Sequence, residues 1–96
     1  MIAREGLQLR LYVAGDSPNS LLARRNLDAV LAELQAQGTS LELIDVLREP
    51  ERGLRDRILA TPTLVRATPL PELRIIGTLR DRELLVRRLG LGELLP

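Results

Sequence analysis

The stretch Leu7-Gln8-Leu9-Arg10-Leu11-Tyr12-Val13-Ala14-Gly15-Asp16-Ser17-Pro18-Asn19 sets how this chain begins to fold. Leu7, Leu9, Leu11 and Val13 alternate with Gln8, Arg10 and Tyr12. Period two reads as a strand with the four apolar side chains on one face. Ala14 to Asn19 reads as a loop. Ser17 is placed to cap a helix, and Pro18 suits the first helical position, where its missing N–H is not needed. The helix is expected to run to about Gln37. Leu27, Val30, Leu31 and Leu34 form its apolar stripe, and Gly38 supplies a left-handed stop. Leu41 to Val46 is a second apolar run. The chain therefore opens with a strand-helix-strand unit, which is almost always parallel.

The pattern then weakens. Pro50 is placed to start a helix over 50–58, but Gly53 sits inside it, and only Leu54 and Ile58 read as buried. Ala60-Thr61-Pro62-Thr63 leads into a short strand at Leu64 and Val65. A proline there implies an edge position or a cis bond. Pro69-Leu70-Pro71 makes a stiff turn, and Leu73 to Ile76 is a further strand, close enough to pair as a hairpin. Thr78 with Asp81 reads as a capping-box variant opening a last helix. Its stripe is Leu79, Leu85, Val86 and Leu89, with Gly90 as the stop. The order is β-α-β-α-β-β-α, a thioredoxin-like α/β arrangement, and Pro62 stands where that fold carries its cis-proline.

Length and composition bound what such a fold can do. At 96 residues the chain is expected to form a single domain, with 1–6 and 91–96 as short tails. A net charge of +1 gives no nucleic-acid footprint. No apolar run approaches the roughly 20 residues needed to span a bilayer. The N-terminus shows no long apolar h-region, so a cytoplasmic location is the default expectation. Every basic residue is Arg, and Tyr12 is the only aromatic. With no Cys and no His, disulfides, thiol redox chemistry, the usual zinc sites and histidine-dependent nucleophiles are excluded. Neither a catalytic role, nor a cofactor, nor a metal is expected.

The candidate sites each have two readings. Gly15-Asp16-Ser17 stands where redox members of the fold carry their cysteines, and reads as a capping loop rather than an anion cradle. Asp45, at the end of the second strand, closes a local hydrogen bond or serves as a functional carboxylate. The cluster Arg52, Arg55, Asp56 and Arg57 is a solvated charged face or a contact surface for an acidic partner. Pro62, Pro69 and Pro71 stiffen turns, or gate a slow rearrangement through X-Pro isomerisation.

Four blocks resemble the KaiB family. Leu11-Tyr12-Val13-Ala14-Gly15-Asp16-Ser17-Pro18-Asn19-Ser20 resembles its opening LYVAGNTPNS. Leu43-Ile44-Asp45-Val46-Leu47 resembles VIDVL, and Ile58-Leu59-Ala60-Thr61-Pro62-Thr63-Leu64 matches ILATPTL. Arg74-Ile75-Ile76-Gly77, with Leu79 and Asp81-Arg82-Glu83, resembles RIIGDLSDRE. The blocks run in order from about Leu9 to Leu91.

The resemblance implies a non-catalytic adaptor of the circadian clock. KaiB proteins bind the ring-shaped RecA-like ATPase KaiC and change its phosphorylation cycle. Some also sequester KaiA and compete with the histidine kinase SasA, whose sensor domain is KaiB-like. A SasA-type interaction module is accordingly the second reading. The family switches folds. A thioredoxin-like state binds the ATPase, and a second state reorders the C-terminal half as β-α-β-β-α-α-β and forms tetramers. Dimer or tetramer formation is thus an open expectation. Carried over from the family, Glu42, Arg55, Asp56 and Arg57 are partner contacts, and Pro62, Pro69, Pro71, Arg88 and Gly90 control conformation.

The chain departs from the family at several of these places. Pro69-Leu70-Pro71 replaces three consecutive prolines. Glu42 reverses the charge of a family Lys, which is expected to weaken binding to a cyanobacterial-type ATPase, whereas Arg57 keeps the charge of another. Arg52-Gly53 stands for Leu-Ala. Arg88 and Gly90 stand for Gly and Asp, and Arg favours the last helix over Gly by somewhat under ~1 kcal/mol. A divergent member whose thioredoxin-like state dominates is expected.

Overall fold

The computed structural model describes residues 6–34 and 38–91. Its elements are β1 (Gln8–Val13), α1 (Pro18–Glu33), β2 (Ser40–Asp45), α2 (Pro50–Arg55), β3 (Thr63–Thr68), β4 (Leu73–Ile76) and α3 (Arg82–Leu89). They make one four-stranded sheet in the order β2-β1-β3-β4. β1 is parallel to β2 and antiparallel to β3, and β4 is antiparallel to β3. The β-α-β-α-β-β-α order holds, and the segment Arg82–Leu89 is helix rather than the closing strand of the alternative order.

The period-two reading of β1 explains the core. Leu7, Leu9, Leu11 and Val13 join Leu64 of β3 on one face of the sheet, under Ala23, Leu27 and Val30 of α1 and Leu85, Val86 and Leu89 of α3. Leu91 is also buried there. The opposite face holds a smaller cluster of Tyr12, Ile44 and Val65, with Val46 and Ile58 packed against it. Tyr12 alternates with the leucines, yet it is wholly buried on this second side.

Several expectations need correction. α2 ends at Arg55, and Gly53 rather than Leu54 faces the sheet. A Cβ at Gly53 would stand 3.2 Å from the Val46 side chain, so the bare backbone lets the helix lie close. Leu54 is left 81% exposed. β3 is an interior strand, not an edge. Pro62 lies just outside it, where its missing N–H breaks no ladder bond, and its carbonyl accepts from Gly77 N–H at 2.9 Å. The Thr61-Pro62 bond is cis, as are Thr68-Pro69 and Leu70-Pro71. Ser17 stands at the N-cap of α1 but makes no side-chain cap bond. Its hydroxyl donates to Ser20 Oγ at 2.8 Å instead. α1 ends at Glu33, and the expected extension to Gln37 falls on 35–37, outside the described residues. At α3 the cap is Asp81, which accepts from Leu84 N–H at 3.0 Å. Leu79 is buried but precedes the helix with φ of 61°. Gly90 closes α3 in the left-handed conformation, as its lack of a Cβ allows.

One buried charge ties two distant segments together. Arg66 on β3 is 8% exposed. It donates to the Arg88 carbonyl at 2.7 Å and to the Pro71 carbonyl at 2.8 Å. Its cation thus meets the carbonyl end of α3, where the helix dipole favours positive charge.

Candidate functional site

Polar side chains collect on the second face of the sheet, around α2. Register places Arg10 and Tyr12 of β1, Glu42 of β2 and Arg74 of β4 on this side. α2 has only six residues, too few to hold a helix by local bonds alone. Side chains from three strands hold it instead.

At its middle, Arg52 grips the Glu42 carboxylate with both terminal nitrogens, at 2.5 and 3.1 Å. This bidentate form is the strong geometry for an arginine-carboxylate pair. The guanidinium holds the Glu42 carboxyl below the ordinary range. At the C-terminal end of the helix, the Tyr12 hydroxyl donates to the Asp56 carboxylate. Arg10 Nε donates to the same phenol oxygen at 3.1 Å. Burial first, and the Asp56 hydrogen bond second, push the Tyr12 phenol above its usual value. The same bond holds the Asp56 carboxyl low. Arg74 donates to the carbonyls of Asp56 and Arg57 at 2.5 and 3.0 Å. Arg57 then turns the chain with φ of 56°, a conformation few non-glycine residues adopt.

What this scaffold presents to solvent is mixed. Leu54 is 81% and Leu59 95% exposed, beside a shallow groove of about 380 Å³ that Val46, Pro50, Gly53 and Ile58 also line. Arg55 and Arg57 are exposed next to these leucines in the chain. An apolar surface rimmed by charge is the chemistry of a protein contact. Among the described residues, no group of three or more His, Cys, Asp or Glu is placed to hold a metal ion.

The four residues expected as partner contacts come together here. Glu42 lies on β2, Arg55 on α2, and Asp56 and Arg57 directly after it, all on the side of the sheet that α2 covers. The residues expected to control conformation divide. Pro71 and Arg88 share the Arg66 guanidinium, and Gly90 ends the same helix. Pro62 stands at the other end of the hairpin, before β3. Asp45 takes the local reading: it accepts from Gly15 and Leu47 N–H at 2.9 and 3.0 Å, which lowers its carboxyl below the usual range. Sequence reasoning missed Arg10, Tyr12 and Arg74 as parts of the site. Alternation along β1 carries the signal for the first two. Only the β3-β4 register reveals Arg74.

The family model for the KaiB domain matches residues 10–91. This chain belongs to the KaiB family. It is 48% identical, over 97 aligned positions, to the circadian clock oscillator protein KaiB of Synechococcus elongatus, covering 98% of this chain and 94% of that protein. Among solved structures it is similar to the N-terminal domain of Synechococcus elongatus SasA, with a TM-score of 0.74 and 25% identity over 94% of this chain and 85% of that one. Yeast mitochondrial thioredoxin 3 superposes with a TM-score of 0.70 at 15% identity, over 91% and 79% of the two chains, and speaks for the thioredoxin-like fold alone. The KaiB match begins at Arg10 and so takes in the β1 side chains that reach α2. No helix among the described residues is long and apolar enough to cross a membrane.

Proposed function

We propose that this KaiB-family chain is a non-catalytic, cytoplasmic adaptor that docks through its α2 face on a KaiC-type RecA-like ATPase and modulates its phosphorylation or ATPase cycle. The observation that carries the reading is the convergence of Glu42, Arg55, Asp56 and Arg57 around a short helix held by side chains from three strands. Exposed Leu54 and Leu59 stand beside them. In this reading the thioredoxin-like packing is the binding-competent and dominant state. The alternative β-α-β-β-α-α-β packing of the C-terminal half is the minor one, and Pro62, Pro69, Pro71, Arg88 and Gly90 influence the exchange between them. Backbone NMR shifts that make 84–91 a strand in solution would overturn that ranking.

The test is co-elution with a KaiC-type ATPase of the same genome, with ATP and with ADP, after hours of incubation. A nucleotide-dependent complex supports the adaptor role, and absence of a complex with both nucleotides rejects it. The likeness to the SasA N-terminal domain favours one second reading, an interaction module for a histidine kinase. Co-elution with a kinase that lacks its own sensor domain would select it.

A further inference from the structure

The hold on α2 is uneven. Its middle is tied to the neighbouring strand β2 through Glu42 and Arg52. Its C-terminal end reaches the opposite edge of the sheet through Arg74. The backbone there makes single turns only: Asp56 N–H to the Arg52 carbonyl at 3.0 Å, Arg57 N–H to Leu54 at 3.1 Å and Ile58 N–H to Gly53 at 2.9 Å. The carbonyls of Asp56 and Arg57 have no helix beyond them to supply donors. One guanidinium serves both and sets a cation at the negative end of the helix. The buried Tyr12 fixes the Asp56 carboxylate from below.

Arg74 reaches these carbonyls because it pairs with Val65, which faces the same side as Tyr12 and Ile44. Among the described residues, β4 is bonded to β3 alone. A one-residue slip would turn Arg74 to the α1 and α3 face, since strand side chains alternate.

We propose that Arg74 and Tyr12 are positioning residues for the α2 docking face, and that Arg74 makes this face contingent on the β3-β4 register. The inference rests on the α2 docking reading above. Arg74 holds the turn that aims Arg57, and Tyr12 holds Asp56 beside it. A change of hairpin register therefore loosens the docking face without touching a contact residue.

The test uses the full chain with Arg74→Gln and Arg74→Lys, read by amide hydrogen exchange on the free protein and by affinity for the ATPase proposed above. In Arg74→Gln, exchange at Asp56, Arg57 and Ile58 should rise roughly tenfold, while β1 and β2 amides change less than about twofold. Affinity should fall by roughly fivefold or more. Arg74→Lys keeps the charge but not the two-pronged geometry and should fall between. It also serves as the reporter should the glutamine variant not fold. Unchanged exchange at 56–58 in the folded variants would overturn the positioning inference, whatever the affinity. Raised exchange with unchanged affinity would overturn instead the assignment of α2 as the docking face, and the inference with it.

Discussion

The Arg52 guanidinium on α2 holds the Glu42 carboxylate on β2 through two parallel contacts of 2.5 and 3.1 Å. In sequence these positions are two separate departures from the family pattern, an acid for a Lys and an Arg for a Leu. In the structure they are one ion pair. Where the resemblance implies a cation on the strand, the cation here stands on the helix.

That pairing decides what Glu42→Lys should do. An ammonium at 42 would face Arg52 and Arg10, because Glu42 is the register partner of Arg10. Like charges at this spacing repel. The single substitution is therefore expected to loosen α2 and lower both the thermal midpoint and affinity for the proposed ATPase. Glu42→Lys with Arg52→Leu should restore the midpoint toward that of the parent chain. A thermal double-mutant cycle checks it: additive losses would show that the two residues are uncoupled.

Tyr12 gives a direct optical reading of the site, since it is the only aromatic residue. Its phenol titrates above the ordinary value of 10.0, through burial first and the Asp56 bond second. A group whose folded pKa is raised contributes stability that is complete below its unfolded value. That stability is lost as pH rises through the folded value. Phenolate absorbance should therefore rise with a midpoint above 10 in the folded protein and near ~10 in denaturant. Asp56→Asn should move the folded midpoint part of the way down and leave the burial share. Tyr12→Phe removes a hydrogen bond to a carboxylate and should cost about 2 kcal/mol in chemical denaturation.

Arg66 separates local from global stability. Arg66→Met removes a buried cation, which relieves a desolvation cost, and also removes the donor shared by Arg88 and Pro71. The global denaturation midpoint should therefore move little. Exchange of the α3 amides should rise roughly tenfold against those of β1. A uniform rise across the sheet would contradict the brace.

Most of the architecture is legible in the residues, for identifiable reasons. Alternation in Leu7 to Val13, the stripe through Leu27 and Val30, and Gly90 as a stop are local patterns, and each appears in the fold. The misreadings fall where tertiary contacts decide. A helix of six residues has no stripe to read, so nothing local shows that Gly53, and not Leu54, lies against Val46. Thr78 fits the residue pattern of a cap. Asp81 stands nearer the helix and takes the Leu84 N–H. In the candidate site, the proposed contact residues come from the family resemblance, and the structure gathers them around α2. Their supports were not: Tyr12 and Asp56 lie 44 residues apart, and Arg74 follows Asp56 by 18. Pairing over such distances depends on strand order and register, which no local window carries.

If α2 presents the docking face, reversing charges on it should break binding where the same reversal elsewhere does not. Arg55→Glu with Arg57→Glu alters that face, and Arg25→Glu with Arg80→Glu makes the same change in net charge among residues exposed elsewhere. Binding of each to the KaiC-type ATPase of the same genome would be measured by titration with ATP present. Docking through α2 predicts a loss of roughly tenfold or more for the first pair and parental affinity for the second. Equal losses in both, or a loss confined to the second, would contradict it.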